Sequence, residues 1–93
     1  MTNDATSEAI LGRYVLTIVA DTNSGWACVQ VPDSAVLLGT GRAVKIRARV
    51  NGHPYEATML PVGGGVHMLP LRAPFRRQQE LELGDQIELV ILR

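Results

Sequence analysis

Four side chains offer acid–base chemistry, and they are His53, Tyr55, His67 and Asp85. The two histidines are the only ones in the chain, and an imidazole exchanges its proton near neutral pH. These four residues are therefore the candidate catalytic groups of the sequence. Zinc takes three or four protein ligands, and no cysteine or carboxylate stands at ligand spacing from either histidine. We therefore predict no metal site and no cofactor.

Ser34 and Cys28 are the candidate nucleophiles, but both have simpler interpretations. Ser34 follows Pro32 and Asp33, so either Asp33 or Ser34 is predicted to cap a short helix that Gly39 ends. Cys28 lies in an apolar run and is predicted to be a small buried side chain. No Ser–His–Asp triad is visible in this pattern. The glycines at positions 63–65 indicate either positive φ angles or a close approach of the backbone. They lack the lysine and hydroxyl of a phosphate loop, so a turn is the preferred interpretation.

A basic stripe is the feature most open to a binding function. Alternation places Lys45, Arg47 and Arg49 on one exposed face, with Arg42 just before them, and these are the nucleic-acid candidates. The chain has nine basic and nine acidic residues, and this balance argues against strong attraction to phosphates. A solvated outer sheet face is the preferred interpretation, and nucleic acid is a disfavoured partner. The apolar candidates for contact with a small ligand are Trp26, Tyr55, Met59 and Met68.

A hairpin centred on Asn51 and Gly52 organises the elements that must position these groups. Asn-Gly between two alternating runs is a strong signal for a two-residue type I′ turn. This turn pairs Val50 with His53 and places Arg47 opposite Glu56. One face of the hairpin is then apolar, and its members are Val44, Ile46, Ala48, Val50, Tyr55, Ala57 and Met59.

The remaining segments predict an all-β domain with one or two short helices. Strands are predicted over residues 12–20, 26–31, 66–71 and 86–92, and short helices over residues 34–38 and 75–81. With the two arms of the hairpin this gives about six strands, and we expect them to form a small closed barrel. Each histidine then lies near a barrel opening. Periodicity leaves open whether His67 points inward or outward.

The length of 93 residues fits one domain. Residues 1–11 are predicted to form a disordered tail and residues 12–93 the barrel. A single cysteine cannot form an internal disulfide, and no apolar run reaches the ~20 residues of a membrane span. We therefore expect a cytoplasmic protein that does not contact membranes.

Several motifs in order resemble a known family. They are the strand from Trp26 to Pro32, the hairpin at Asn51 and Gly52, the glycine loop, and a final strand that follows Gly84 and Asp85. This order resembles the domain of unknown function numbered nineteen-oh-five (DUF1905), over about residues 12–93. The resemblance implies a small closed barrel similar to double-psi or split barrels, sometimes found beside bacteriocin-protection (OmpD-associated) proteins. It implies no catalytic residues.

The sequence supports three functions. The preferred one is a non-catalytic barrel module that binds a small ligand or a protein partner, with a homodimer through a sheet edge as a further expectation. The first alternative is a cofactor-free enzyme of the cyclase or isomerase type that holds an apolar substrate inside the barrel. The second alternative is nucleic-acid binding through the stripe from Arg42 to Arg49.

Overall fold

The computed structural model describes residues 9–92, so residues 1–8 of the predicted tail lie outside the described part of the chain. The predicted all-β class with short helices is confirmed. Seven strands and two helices follow one another in residues 9–92. The strands are β1 (Ile10–Thr17), β2 (Val19–Ala20), β3 (Ala27–Val31), β4 (Val44–Val50), β5 (His53–Gly63), β6 (Val66–Pro70) and β7 (Gln86–Leu92), and the helices are α1 (Ser34–Leu38) and α2 (Ala73–Gln79).

The central hairpin has the predicted register. Val50 pairs with His53 and Arg47 with Glu56, and the pairing continues to Val44 and Met59. Both turn residues have positive φ angles, 51° at Asn51 and 85° at Gly52, as a type I′ turn requires. The apolar face of the hairpin is turned inward, and apart from the partly exposed Val44 its members are buried.

The sheet is a curled half-barrel in the order β1-β7-β4-β5-β6-β3-β2. Strand β5 connects the two halves of the sheet, one formed by β1, β7 and β4 and the other by β6, β3 and β2. Its residues up to Met59 pair with β4, and its residues from Leu60 onward pair with β6. Pro54 lies in the first half of β5, where β4 is its partner. Proline has no backbone N–H, and at position 54 the missing group would point away from β4. It therefore interrupts no ladder, as predicted.

The predictions of six strands and of a closed barrel are wrong. Residues 12–20 do not form one strand, because the chain changes partner at Ile18. The Ile18 N–H donates to the Asp85 carbonyl and the Ile18 carbonyl accepts the Gly84 N–H, both at 2.8 Å. Strand β1 thus ends beside β7, and β2 begins a separate pairing with β3. Strands β1 and β3 come close to each other, but no ladder joins them across the opening of the half-barrel.

The concave side of the sheet is filled by its own side chains. Val50, Met59, Leu69, Leu89 and Ile91 are all fully buried there. The two helices add to this core from outside the sheet. Leu37 and Leu38 of α1 pack against it, as do Phe75 of α2 and Leu81 just after α2.

Helix α1 spans the predicted residues but is not capped as predicted, and helix α2 begins at a different residue. Asp33 stands at the N-cap of α1 in the left-handed region (φ 54°) and makes no side-chain capping bond, so the predicted cap is wrong. Ser34 is already inside the helix. Gly39 ends α1 with a φ of 73°, as predicted. Helix α2 begins two residues earlier than predicted, because Pro74 occupies its first turn, where a missing N–H costs nothing.

Candidate functional site

A surface cleft lies between the start of β3 and the segment that joins β6 to α2. Its volume is about 480 Å³, within the ~300–1,000 Å³ usual for small-molecule sites. Trp26 stands at one side and is 54% exposed. Such exposure is unusual for a side chain of this size and apolar area. The other residues that line the cleft are Ala27, Pro70, Leu71, Arg72, Ala73, Pro74 and Arg76.

A tight turn holds Trp26 in place. The Asp21 carboxylate accepts the backbone N–H of Ser24 and its hydroxyl, both at 2.8 Å, and the N–H of Asn23 at 3.2 Å. The Ser24 hydroxyl in turn accepts the Trp26 N–H, and the Trp26 carbonyl accepts the Asp21 N–H. Hydrogen bonds from the Ser24 N–H and hydroxyl lower the pKa of Asp21. The Asp21 carboxylate is therefore ionised at neutral pH and accepts the hydrogen bonds that hold the turn together.

Tyr55 does not line the cleft but holds the wall that faces Trp26, which is the segment between β6 and α2. Its side chain is only 4% exposed. Its hydroxyl donates to the Pro70 carbonyl at 2.6 Å and accepts the Arg72 N–H at 2.9 Å. Its ring also contacts the Phe75 ring of α2 at 4.5 Å between centroids. One buried side chain of β5 thus ties together the end of β6 and the beginning of α2.

Two arginines bring positive charge to the cleft. The Arg72 guanidinium lies 4.6 Å from the centre of the Tyr55 ring, in cation–π contact, and its Nη2 donates to the Glu56 carbonyl at 2.7 Å. The Arg76 Nε donates to the Leu71 carbonyl at 2.8 Å. Both guanidinium groups are therefore held by the protein. Each keeps further N–H donors, because a guanidinium carries five.

A second polar cluster lies at the start of α1, where Ser34 and His67 are both fully buried. The His67 Nε2 lies 2.8 Å from the Arg42 carbonyl, an acceptor, so Nε2 must carry a proton. In the neutral ring Nδ1 then accepts from the Ser34 hydroxyl at 2.8 Å. The same hydroxyl accepts the His67 backbone N–H at 2.6 Å. These hydrogen bonds connect α1 to β6. They also show that the His67 side chain points inward, which periodicity had left open.

The other two acid–base candidates lie apart from these clusters. His53 is exposed at the end of the hairpin, next to the turn. The Asp85 carboxylate accepts the Glu82 N–H at 2.8 Å in the turn before β7, which is the usual role of a turn carboxylate. Among residues 9–92, no hydrogen bond joins any two of His53, Tyr55, His67 and Asp85. The fold does not assemble them into one hydrogen-bonded site.

Of the four ligand candidates, only Trp26 lines the cleft, and Tyr55 supports it from behind. Met59 is fully buried in the core and Met68 is buried on β6. Cys28 is buried as predicted, and this burial, together with the charge of Asp21, raises the pKa of its thiol. A raised pKa leaves little thiolate, so Cys28 is a poor nucleophile.

The basic stripe lies on the outer face of β4. Lys45 and Arg47 are exposed, as the predicted alternation requires, whereas Arg49 is partly buried. Glu56 faces Arg47 across the ladder, so the stripe is not purely basic. Arg42 precedes β4, and its carbonyl is occupied by His67.

No group of three or more His, Cys, Asp or Glu side chains among residues 9–92 has an arrangement that could hold a metal ion. In the same part of the chain, neither helix has the length and the apolar character needed to cross a bilayer.

Sequence reasoning missed Arg72, Arg76 and the two prolines as site residues. A signal was present, because positions 72 and 76 are four apart around the start of a helix and share one face. Their relation to Trp26 was not visible, because it depends on the pairing of β3 with β6, which places Cys28 opposite Pro70.

The fold and the cleft define a class: a small half-barrel domain with an aromatic, arginine-lined cleft outside its filled core. Residues 14–91 match the family model described as Domain of unknown function (DUF1905). The chain belongs to this family, as the order of its motifs suggested. No curated protein matches the chain.

Proposed function

We propose that this protein is a non-catalytic module that binds a small molecule in the cleft beside Trp26. The observation that carries the proposal is the half-exposed indole at the side of a cleft of about 480 Å³, next to two arginines whose guanidinium groups are held in place. An apolar cleft with a few fixed polar groups is the usual form of a small-molecule site.

Binding rather than turnover is favoured by the chemistry at the cleft. Its walls carry apolar side chains and arginines, and a guanidinium does not exchange protons at neutral pH. Two of the four acid–base candidates are already engaged: the hydroxyl of Tyr55 and both ring nitrogens of His67 are hydrogen-bonded within the protein. The alternative enzyme needs a substrate inside the barrel, and buried side chains such as Met59 and Leu69 occupy that space.

The only tryptophan of the chain reports directly on the site. Indole fluorescence and the indole Nε1–H resonance are followed while neutral, cationic and anionic fragments are added at about 1 mM, a concentration that detects binding free energies near −4 kcal/mol. We expect at least one fragment class to shift both signals in a saturable manner.

Leu83→Ala is the matched control, because Leu83 is also a large, exposed apolar residue (58%) and does not line the cleft. Binding should persist in Leu83→Ala. In Trp26→Ala, binding should be lost when followed by calorimetry, while thermal stability stays close to that of the wild type. If no fragment of any charge perturbs Trp26, or if Trp26→Ala binds as well as the wild type, the proposed function is refuted.

A further inference from the structure

The walls of the cleft present one flat aromatic surface and several rigid apolar ones. Trp26 is a large, half-exposed aromatic side chain at the side of the cleft, and Pro70 and Pro74 supply carbon surface around it. A planar ring stacks on indole with little loss of conformational freedom, because neither partner has many rotatable bonds. The apolar part of the cleft therefore favours a flat aromatic group over a flexible chain.

The charge of the cleft has one sign. Arg72 and Arg76 line it, and among the described residues that line it there is no aspartate or glutamate. Within residues 9–92, the two guanidinium groups donate to backbone carbonyls, those of Glu56 and Leu71, and no ion pair with a carboxylate is formed. The backbone carbonyls thus orient the two guanidinium groups without cancelling their positive charge.

The arginines are also fixed before any ligand arrives. Arg72 is confined by its contact with the Tyr55 ring and by its bond to Glu56, and the Tyr55 hydroxyl holds its backbone N–H. A guanidinium whose geometry is already set loses less entropy when it binds a carboxylate or phosphate. This preorganisation is what an anion site needs, and a purely apolar site does not need it.

We infer that the ligand is a planar aromatic anion, whose ring stacks on Trp26 and whose carboxylate or phosphate is bound by Arg72 and Arg76. This inference rests on the proposed function, since it names the class of ligand for the same cleft. A carboxylate and a phosphate share the chemistry that the guanidinium groups recognise. The aromatic ring then comes either from a simple aryl acid or from the base of a mononucleotide.

Matched probes separate the two parts of the ligand. Naphthalene-2-carboxylate is compared with its neutral carboxamide and with cyclohexanecarboxylate, which keeps the charge and lacks the flat ring. Adenosine monophosphate is compared with adenosine and with ribose 5-phosphate in the same way. We expect one of the two aromatic anions to bind at least about tenfold more tightly than either of its matched compounds, and its affinity to fall as salt rises. The series that shows this difference identifies the source of the ring.

Variants then test the arginines. Arg76→Gln should remove most of the preference for the anion, and Arg76→Lys should retain part of it, because lysine keeps the charge and loses the planar fork. Arg77→Gln is the matched control, since Arg77 is adjacent, exposed and not part of the cleft wall. It should bind as the wild type does. Circular dichroism and thermal unfolding establish that each variant is folded.

The outcomes distinguish the inference from the proposed function. If probes bind but in neither series does the aromatic anion bind more tightly than its neutral counterpart, the cleft is a binding site and the anion assignment is wrong. If probes bind but in neither series does the aromatic anion bind more tightly than its non-aromatic counterpart, the stacking on Trp26 is wrong. If Arg77→Gln weakens binding as much as Arg76→Gln, the effect is long-range and the assignment of Arg76 is refuted. If none of the six probes binds, the inference is refuted, and the fragment screen alone decides the proposed function.

Discussion

Ser34→Ala should be among the most destabilising single-atom deletions in this protein. The hydroxyl serves two buried groups of His67 at once, accepting its backbone N–H at 2.6 Å and donating to its Nδ1 at 2.8 Å. Both residues are fully buried, so water does not readily replace the lost partner. An unsatisfied buried polar group costs about 1–3 kcal/mol, so the two together should lower the free energy of unfolding by roughly 2–6 kcal/mol. That is a large part of the ~5–15 kcal/mol typical of a domain.

Urea denaturation measures this loss as a lower midpoint at an unchanged slope. Ser24→Ala is the matched control, because it removes the same atom from a serine that also makes two hydrogen bonds, but in an exposed turn. Its cost should stay below about 1 kcal/mol. The histidines give the same contrast, with His67→Ala costing more than the exposed His53→Ala. A loss below about 1 kcal/mol in Ser34→Ala, or one no larger than in Ser24→Ala, would refute the assigned bonding.

Three further predictions concern the turns and the thiol. Gly52→Val should lower the free energy of unfolding by at least ~1 kcal/mol, because a β-branched residue is strained at a φ of 85°; an unchanged thermal midpoint would contradict this. The pKa of Asp21 in the folded protein is below its ordinary value of 3.8. The turn that Asp21 closes should therefore contribute its full stabilisation above pH 3.8 and lose it as the pH falls through the folded pKa. This loss should be visible as a step in Trp26 fluorescence, and the step should be absent in Asp21→Asn. Cys28 should react with iodoacetamide more slowly in the native state than in urea, because its thiol is buried and its pKa is raised; equal labelling rates would contradict this.

The central hairpin could be predicted to the residue because its signals are local. Asn51 and Gly52 set the turn type, and the turn type sets the register of every pair up to Val44 and Met59. The inward face follows from alternation alone. Closure of the barrel could not be predicted in this way. It depends on whether β1 pairs with β3 across the sheet, and nothing near either strand in the sequence determines a contact between distant edges.

The candidate site shows the same division. Exposure of Trp26 could not be read from its apolar neighbours, because the run that contains it becomes buried only from Cys28 onward. Ser34 has the sequence context of a helix cap, and its real role is to satisfy a histidine thirty-three positions away. Side chains that act across strands are specified by tertiary packing, and periodicity carries no information about them.

Pairing of β1 with β7 has a consequence for how the protein folds. Tyr14 lies opposite Leu89, and among residues 9–92 strand β1 is paired with β7 alone. The hairpin of β4 and β5 can form early from local contacts, whereas β1 must wait until nearly the whole chain is in place. Pairing between such distant segments requires closing a long loop, which slows folding toward the millisecond-to-second range. During that interval β1 is an unpaired strand whose alternating apolar side chains can associate with other chains, so dilution or a chaperone should raise the refolding yield.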